Sequence, residues 1–355
     1  MSGIGKQFYF SIDKFRQING PIIDIRSPAE YSQGHWPNAI NLPLFNNEER
    51  AKIGIAYKRE GREKAILLGL KFTGPKLLEL KDSLEKVSKL KPENINKENS
   101  TSSLKIYCWR GGMRSSSVGW LASLLNLKPA ILLGGYKSYR KWVLQQFMHD
   151  WPVRLIGGRT GTGKTDLLLT MAQKGFATID LEGLANHKGS SFGGLGLPEQ
   201  PTSEHYENLI AENLNLLSET SPKGIWFEAE SPNLGRCRIP NELFKQMKSA
   251  PVLQIDRSKK ERIRQLVKVY AKHNKEDLKE STKRISRRLG PQRTTLALKA
   301  IEIEEWDEAC KAMLDYYDRC YEYELAKSAQ IETIDISGLS PDEAVSKLFA
   351  EGLIS

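Results

Sequence analysis

Residues 153–173 read VRLIGGRTGTGKTDLLLTMAQ, and this stretch decides the fold of the larger part of the chain. A short apolar strand leads into G-x-x-x-x-G-K-T from Gly158 to Thr165, and an apolar helical run follows. Strand before and helix after is the setting in which this spacing cradles a phosphate. Gly158, Gly161 and Gly163 let the backbone approach phosphate oxygens, Lys164 brings a point charge, and the Thr165 hydroxyl is placed for Mg2+.

Toward the C-terminus, FATID, GIWFEAE, APVLQID and QIETIDI read as further strands with helical stretches between them. That alternation predicts an α/β fold, a doubly wound parallel sheet of the P-loop NTPase type over 153–355. Asp180 and Glu182 close the FATID strand, and Glu228 and Glu230 close the GIWFEAE strand. Carboxylates at strand C-terminal ends face the ligand crevice, where they hold Mg2+ through water, act as a base, or merely cap the strand. No tightly bound metal is expected.

The formal charge of +10 is concentrated in residues 257–293, which hold 14 Lys/Arg against 4 Asp/Glu. A helical segment carrying the whole excess points to a polyanionic partner, with a solvated helix face as the plainer alternative. Within it Arg284, Arg287, Arg288 and Arg293 are candidates for a lid over phosphates or for an RNA grip.

Toward the N-terminus, KSYRKWVLQQFMHDW (137–151) is amphipathic and stops at Pro152, so 141–152 is expected to be a connecting helix. Residues 6–140 show their own strand–helix alternation, predicting a second parallel sheet covered on both faces. Inside it, LKIYCWRGGMRSSS (104–117) sets Cys108 at the end of an apolar strand. A Gly-rich turn with Arg110 and Arg114 follows and runs into a helix beginning near Ser115. Successive N–H groups at a helix N-terminus, with two guanidinium groups close by, favour a thiolate there. The polar stretch Lys91–Ser103 is expected to be a surface loop, and Tyr57–Arg62 (YKREGR) an exposed loop or an RNA contact.

Four cysteines (108, 237, 310, 320) without close pairing argue against a disulfide framework or a zinc site. No run reaches the roughly 18 apolar residues of a membrane span, and the first residues lack a signal-peptide pattern. A cytoplasmic protein with one special thiol is the expectation.

The string DIRSPAEYSQGHWPNAINLPL (24–44), together with CWRGGMRS (108–115), resembles the rhodanese family, and Cys108 maps onto that family's catalytic cysteine. Five residues separate Cys108 from Arg114, one more than in most single-domain rhodaneses. That spacing is similar to the related Cdc25-type phosphatases, whose bowl admits a phosphoryl group. With ERAKIGIAYKREGREKAILLG (49–69), GGRTGTGKT, DLEGLANHKGSSFG (180–193) and EAESPNLGRCRIP (228–240), the whole chain resembles the tRNA 2-selenouridine synthase family.

The resemblance implies a tRNA-modifying transferase acting on wobble 2-thiouridine, with selenophosphate and geranyl diphosphate as co-substrates and Mg2+ at the P-loop. It implies S-geranylation as the step that readies sulfur to leave, Cys108 with Arg110 and Arg114 serving selenation, and the P-loop holding a diphosphate. Two other classes stay open on the residues alone. One is a rhodanese-coupled, ATP-dependent tRNA sulfurtransferase or kinase-like enzyme; the other is a phosphatase-like or purely binding N-terminal module.

Overall fold

The computed structural model describes residues 8–90, 103–218, 220, 223–325 and 330–354. The chain falls into two compact units, residues 1–145 and 146–355. No helix among the described residues is long and apolar enough to cross a membrane.

The first unit runs β1 (Tyr9–Phe10), α1 (Ile12–Gln17), β2 (Ile22–Asp24), α2 (Pro28–Gln33), β3 (Ile40–Asn41), α3 (Asn47–Arg59), α4 (Arg62–Thr73) and α5 (Leu77–Ser88). It continues with β4 (Leu104–Tyr107), α6 (Met113–Leu124), β5 (Pro129–Leu132) and α7 (Gly135–Gln146). Its five strands form one parallel sheet in the order β1-β5-β4-β2-β3. The central β4 is buried at every position, as a strand covered on both faces must be. α5 buries Leu80, Leu84 and Val87, one helical face, against Ile23, Ile25, Ile106 and Val118. Each such side chain contributes about 1.5–3 kcal/mol when fully buried.

Three elements differ from the sequence expectation. β1 is an edge strand of two residues, too short to leave a pattern. Tyr57–Arg62 is the end of α3, a turn at Gly61 and the start of α4, not a loop; Gly61 takes φ 92°, where only glycine is unstrained. The helix expected over 141–152 runs instead from Gly135 to Gln146. It belongs to the first core, since Tyr139 stacks on Trp36 at 4.2 Å and Tyr136 lies over Tyr107. It stops at Gln146, whose carbonyl accepts from the Trp151 indole N–H at 2.8 Å. Of the polar stretch 91–103, only Ser103 lies within the described residues.

The second unit runs β6 (Val153–Gly157), α8 (Lys164–Gln173), α9 (Leu181–Ala185), α10 (Ser203–Ser218), β7 (Ile225–Glu228), the hairpin β8 (Asn233–Leu234) and β9 (Cys237–Arg238), α11 (Asn241–Ser249) and β10 (Val252–Asp256). Then follow α12 (Lys259–Tyr270), α13 (Lys275–Leu289), α14 (Pro291–Glu302), α15 (Trp306–Leu325), β11 (Ile331–Asp335) and α16 (Pro341–Ala350). The parallel sheet has the order β11-β10-β6-β7. FATID is not a full strand: Thr178 makes a single parallel bridge to Trp226 beyond β7, and Asp180 then caps α9. The P-loop strand β6 is therefore central, and the loop leaves it at the carboxyl end of the sheet, where open α/β folds bind ligands.

Candidate functional site

Cys108 directly follows β4 in the first unit, and Trp109–Gly112 turn the chain into α6, which starts at Met113, two residues before the expected point. A second glycine pair supports this turn from below. Gly135 has φ 60°, and a Cβ there would collide with the Cys108 carbonyl oxygen and the Gly111 nitrogen. The Tyr136 N–H donates to the Cys108 carbonyl at 2.8 Å and the Lys137 N–H to that of Trp109 at 3.1 Å. The string LLGGY is thus the other half of the thiol cradle, which the sequence reading missed although its twin glycines are the signal.

Cys108 Sγ lies 3.3 Å from Ser115 Oγ, whose own hydroxyl donates to the Gly112 carbonyl at 3.0 Å. Among the described residues, the backbone N–H groups of Trp109–Ser115 find no acceptor. The thiol, only 3% exposed as a residue, forms part of the wall of a cavity of about 750 Å3. The other walls come from the turn and from α3, and include Arg50, Tyr57, Lys58, Trp109, Arg110 and Arg114. That volume is within the ~300–1,000 Å3 usual for a small-ligand site.

The two expected arginines have different situations. Arg110 is exposed, and neither it nor Lys58 is paired with a carboxylate among the described residues. Arg114 is tied to Glu30, with Nη1 2.8 Å from Oε2, and Glu30 also meets Arg50 at 3.4 Å. Burial would raise the Glu30 pKa, but the hydrogen bond and charge of Arg114, the Ser27 N–H and Arg50 outweigh it, and the net shift is downward. Deeper still, Asp24 and Arg26 form a buried pair (Nη2–Oδ2 2.6 Å), with the guanidinium 3.7 Å over the Tyr136 ring.

In the second unit the phosphate loop has the required backbone. Gly158, Gly161 and Gly163 take φ of 155°, 84° and 84°, and side chains at Gly158 or Gly161 would strike Ile255 and Arg262 backbone oxygens. Arg262 is bound to Asp318 and donates to the Thr160 carbonyl at 2.9 Å, fixing the loop from outside. Lys164 Nζ donates to the Gly158 carbonyl at 3.0 Å. Burial opposes its charge, yet Glu228, Glu230 and Glu182 prevail and its pKa is raised.

Those three carboxylates have oxygens within 4.8 Å of one another. Burial first, then the neighbouring Glu228 and Glu230, push Glu182 up to about 9. Glu228 is pushed up to about 7 by burial against the pull of Lys164, and Glu230 is raised by burial. Glu228 is 2% exposed, and its Oε1 has no partner while Thr165 hydrogen-bonds the same carboxyl. Three crowded carboxylates with an orphaned buried oxygen beside the P-loop Thr165 fit a hard divalent cation. Asp180 Oδ1 accepts from the Gly183 N–H at 2.8 Å as the cap of α9, and it is Glu182 that joins Glu228 and Glu230 in the cluster. Gly189 (φ 60°) brings the 186–196 loop down onto Glu182 and Glu230 so closely that a Cβ would lie 2.7 Å from Glu230 Oε2.

Two further cavities flank the loop. One, of about 70 Å3, is lined by Thr160, Ser190 and Phe192 and mostly by apolar side chains of α12–α15, among them Leu266, Trp306, Met313, Leu314 and Tyr317. Cys310 sits in that wall, and burial pushes its thiol up to about 12. The other, of about 140 Å3, is polar and lies against Gly161–Gly163, Asp166, Arg257 and Gln265. Arg284, Arg287 and Arg288 are exposed near the end of α13. Arg284 donates to Ser281, Arg288 meets Tyr316, and Arg293 lies near Asp315. None of these partners belongs to the phosphate loop.

A family model for the tRNA 2-selenouridine synthase AAA domain matches residues 151–340, and one for the rhodanese-like domain matches 11–141. The tRNA 2-selenouridine synthase of Sulfurovum sp. (strain NBC37-1) is 34% identical over 351 residues, covering 89% of this chain and 92% of that protein. The one from Pseudomonas putida (strain GB-1) is 31% identical, covering 91% and 93%, and that of Bdellovibrio bacteriovorus 38%, covering 68% and 62%.

Proposed function

The chain belongs to the tRNA 2-selenouridine synthase family, and from that premise we propose that it replaces the sulfur of wobble 2-thiouridine with selenium in two transfers, one in each unit. In the first, the thiocarbonyl sulfur attacks C1 of geranyl diphosphate, the C–O bond breaks, pyrophosphate leaves, and the N3 proton is lost from the base. In the second, selenium of selenophosphate attacks C2 and the geranyl thiolate departs, a better leaving group than the free thione.

The observation that carries this reading is that Thr160 of the phosphate loop lines an apolar cavity. A diphosphate with a hydrocarbon tail suits that pairing. The present volume admits part of a ten-carbon chain, and Met313, an unbranched and adaptable side chain, is the wall able to give way. Lys164 and the loop amides would stabilise the departing pyrophosphate. Glu182, Glu228, Glu230 and Thr165 are the residues that would hold Mg2+. That ion, when bound, supplies charge neutralisation for the diphosphate. The cavity lined by Cys108, with Arg110 and Lys58 paired with no carboxylate among the described residues and with Tyr57 and Trp109 in its wall, suits a nucleotide together with an anionic selenium donor. The exposed stripe Arg284, Arg287 and Arg288 supplies a contact for tRNA phosphates.

One observation favours a second reading. The polar cavity against Gly161–Gly163 and Arg257 has room for part of a nucleoside, as an ATP-dependent sulfurtransferase or kinase-like enzyme would require. Equilibrium binding decides between them. Geranyl diphosphate should compete with pyrophosphate at the loop while ATP does not; tight ATP binding with tRNA-stimulated hydrolysis would favour the rival.

A further inference from the structure

We propose that Cys108 accepts phosphorus, not selenium, and that Ser115 is the residue that releases it. This rests on the proposed function and assigns a chemical role within its second transfer. Once selenium of selenophosphate has displaced the thioether at C2, the base carries a C2–Se–P linkage. The product requires the Se–P bond to break, and the phosphoryl group must go to some acceptor.

Cys108 is built for that acceptor role. Five residues separate it from Arg114, and Trp109–Gly112 among them form an open turn before α6 starts at Met113. The N–H groups of Trp109–Ser115 have no acceptor among the described residues, and a phosphoryl group presents three oxygens to such a turn. Glu30 fixes Arg114 at the turn's far end, and Arg110, paired with no carboxylate among the described residues, is left to meet the same oxygens.

The step balances without an oxidant or reductant. The Cys108 thiolate attacks phosphorus, the S–P bond forms, and the Se–P bond breaks with its electron pair on selenium, leaving the selenocarbonyl form of the base. Water then attacks phosphorus, the S–P bond breaks, and inorganic phosphate leaves. The Ser115 hydroxyl, 3.3 Å from Sγ, turns from the Gly112 carbonyl to donate to the departing thiolate.

The test uses the full chain, an RNA hairpin bearing S-geranyl-2-thiouridine, and selenophosphate labelled on phosphorus, quenched in acid during the first turnovers. The expected result is phosphorus label on the Cys108 peptide without the isotope pattern of selenium. Cys108→Ser should carry no label. Ser115→Ala should load normally and lose the label on the order of a hundredfold more slowly. Selenium on that peptide overturns the proposal, as does 2-selenouridine formed with phosphate released and never resident on Cys108. If the wild-type chain forms no 2-selenouridine at all, the proposed function itself falls, and the phosphoryl step with it.

Discussion

Glu30 clamps Arg114 across 84 residues of sequence, its Oε2 2.8 Å from Nη1, and so fixes the guanidinium at the far end of the Cys108 turn. The same carboxylate accepts from the Ser27 N–H at 3.0 Å and meets Arg50, so one residue joins the cap of α2 to two cations of the cavity.

Because the folded pKa of Glu30 is lowered, its stabilising contribution is present above the ordinary value of 4.5 and is lost as pH falls through the lowered one. Melting curves of the full chain from pH 3 to 7 should show an acid-side loss that Glu30→Gln lacks. At neutral pH the variant should be less stable by about 1.5–3 kcal/mol, the usual contribution of a hydrogen bond to a charged group. Parallel curves for the two proteins would contradict this account of the clamp.

Lys164→Ala should slow geranyl transfer by at least about a hundredfold, as loss of a charge at the departing pyrophosphate predicts. The same variant should still convert RNA supplied already S-geranylated. Nucleoside mass spectrometry reads both steps, and an equal loss in both would remove the division of labour between the units.

Mg2+ should raise the melting temperature, since a cation offsets the crowding of Glu182, Glu228 and Glu230. At ten times its dissociation constant the gain is about 1.4 kcal/mol, or roughly 3 °C. Glu228→Gln should melt higher than wild type without the ion and should lose the Mg2+ increment. A full increment in that variant would place the cation elsewhere.

Replacing Arg287 and Arg288 together by Glu should weaken tRNA binding about tenfold or more and flatten its salt dependence by about two counterions. Filter binding across a salt series measures both. Unchanged affinity would return α13 to an ordinary solvated helix.

Ala309 lies in the wall of the apolar cavity, so Ala309→Leu should fill it. The KM for geranyl diphosphate should rise about tenfold while pyrophosphate competes as before. An unchanged KM would detach the prenyl chain from this cavity.

Both glycine turns are legible in the sequence because each is continuous: a strand, a glycine turn and a helix specify the geometry through local backbone demands. Pairings between distant segments leave no such trace. Glu30 reads as part of a family string, and nothing in the sequence joins it to Arg114 or Arg50. Glu182 and Asp180 are equivalent strand-end carboxylates on paper. The capping demand of α9 separates them, holding Asp180 at the helix start and turning Glu182 into the cluster. The apolar cavity is likewise invisible, because Leu266, Trp306 and Met313 read as ordinary core residues of amphipathic helices until α12 and α15 face each other. The end of α7 is misread for a simpler reason: its apolar face continues to Trp151, and only Pro152 marks a stop that the chain makes five residues earlier.

The most direct test incubates thiolated tRNA and Mg2+ with the enzyme and geranyl diphosphate, selenophosphate, or both, and identifies the wobble nucleoside by mass spectrometry. Geranyl diphosphate alone should give the S-geranyl nucleoside, selenophosphate alone should leave 2-thiouridine, and the two together should give 2-selenouridine without ATP. Selenation in the absence of geranyl diphosphate, or a requirement for ATP, would contradict the two-transfer account.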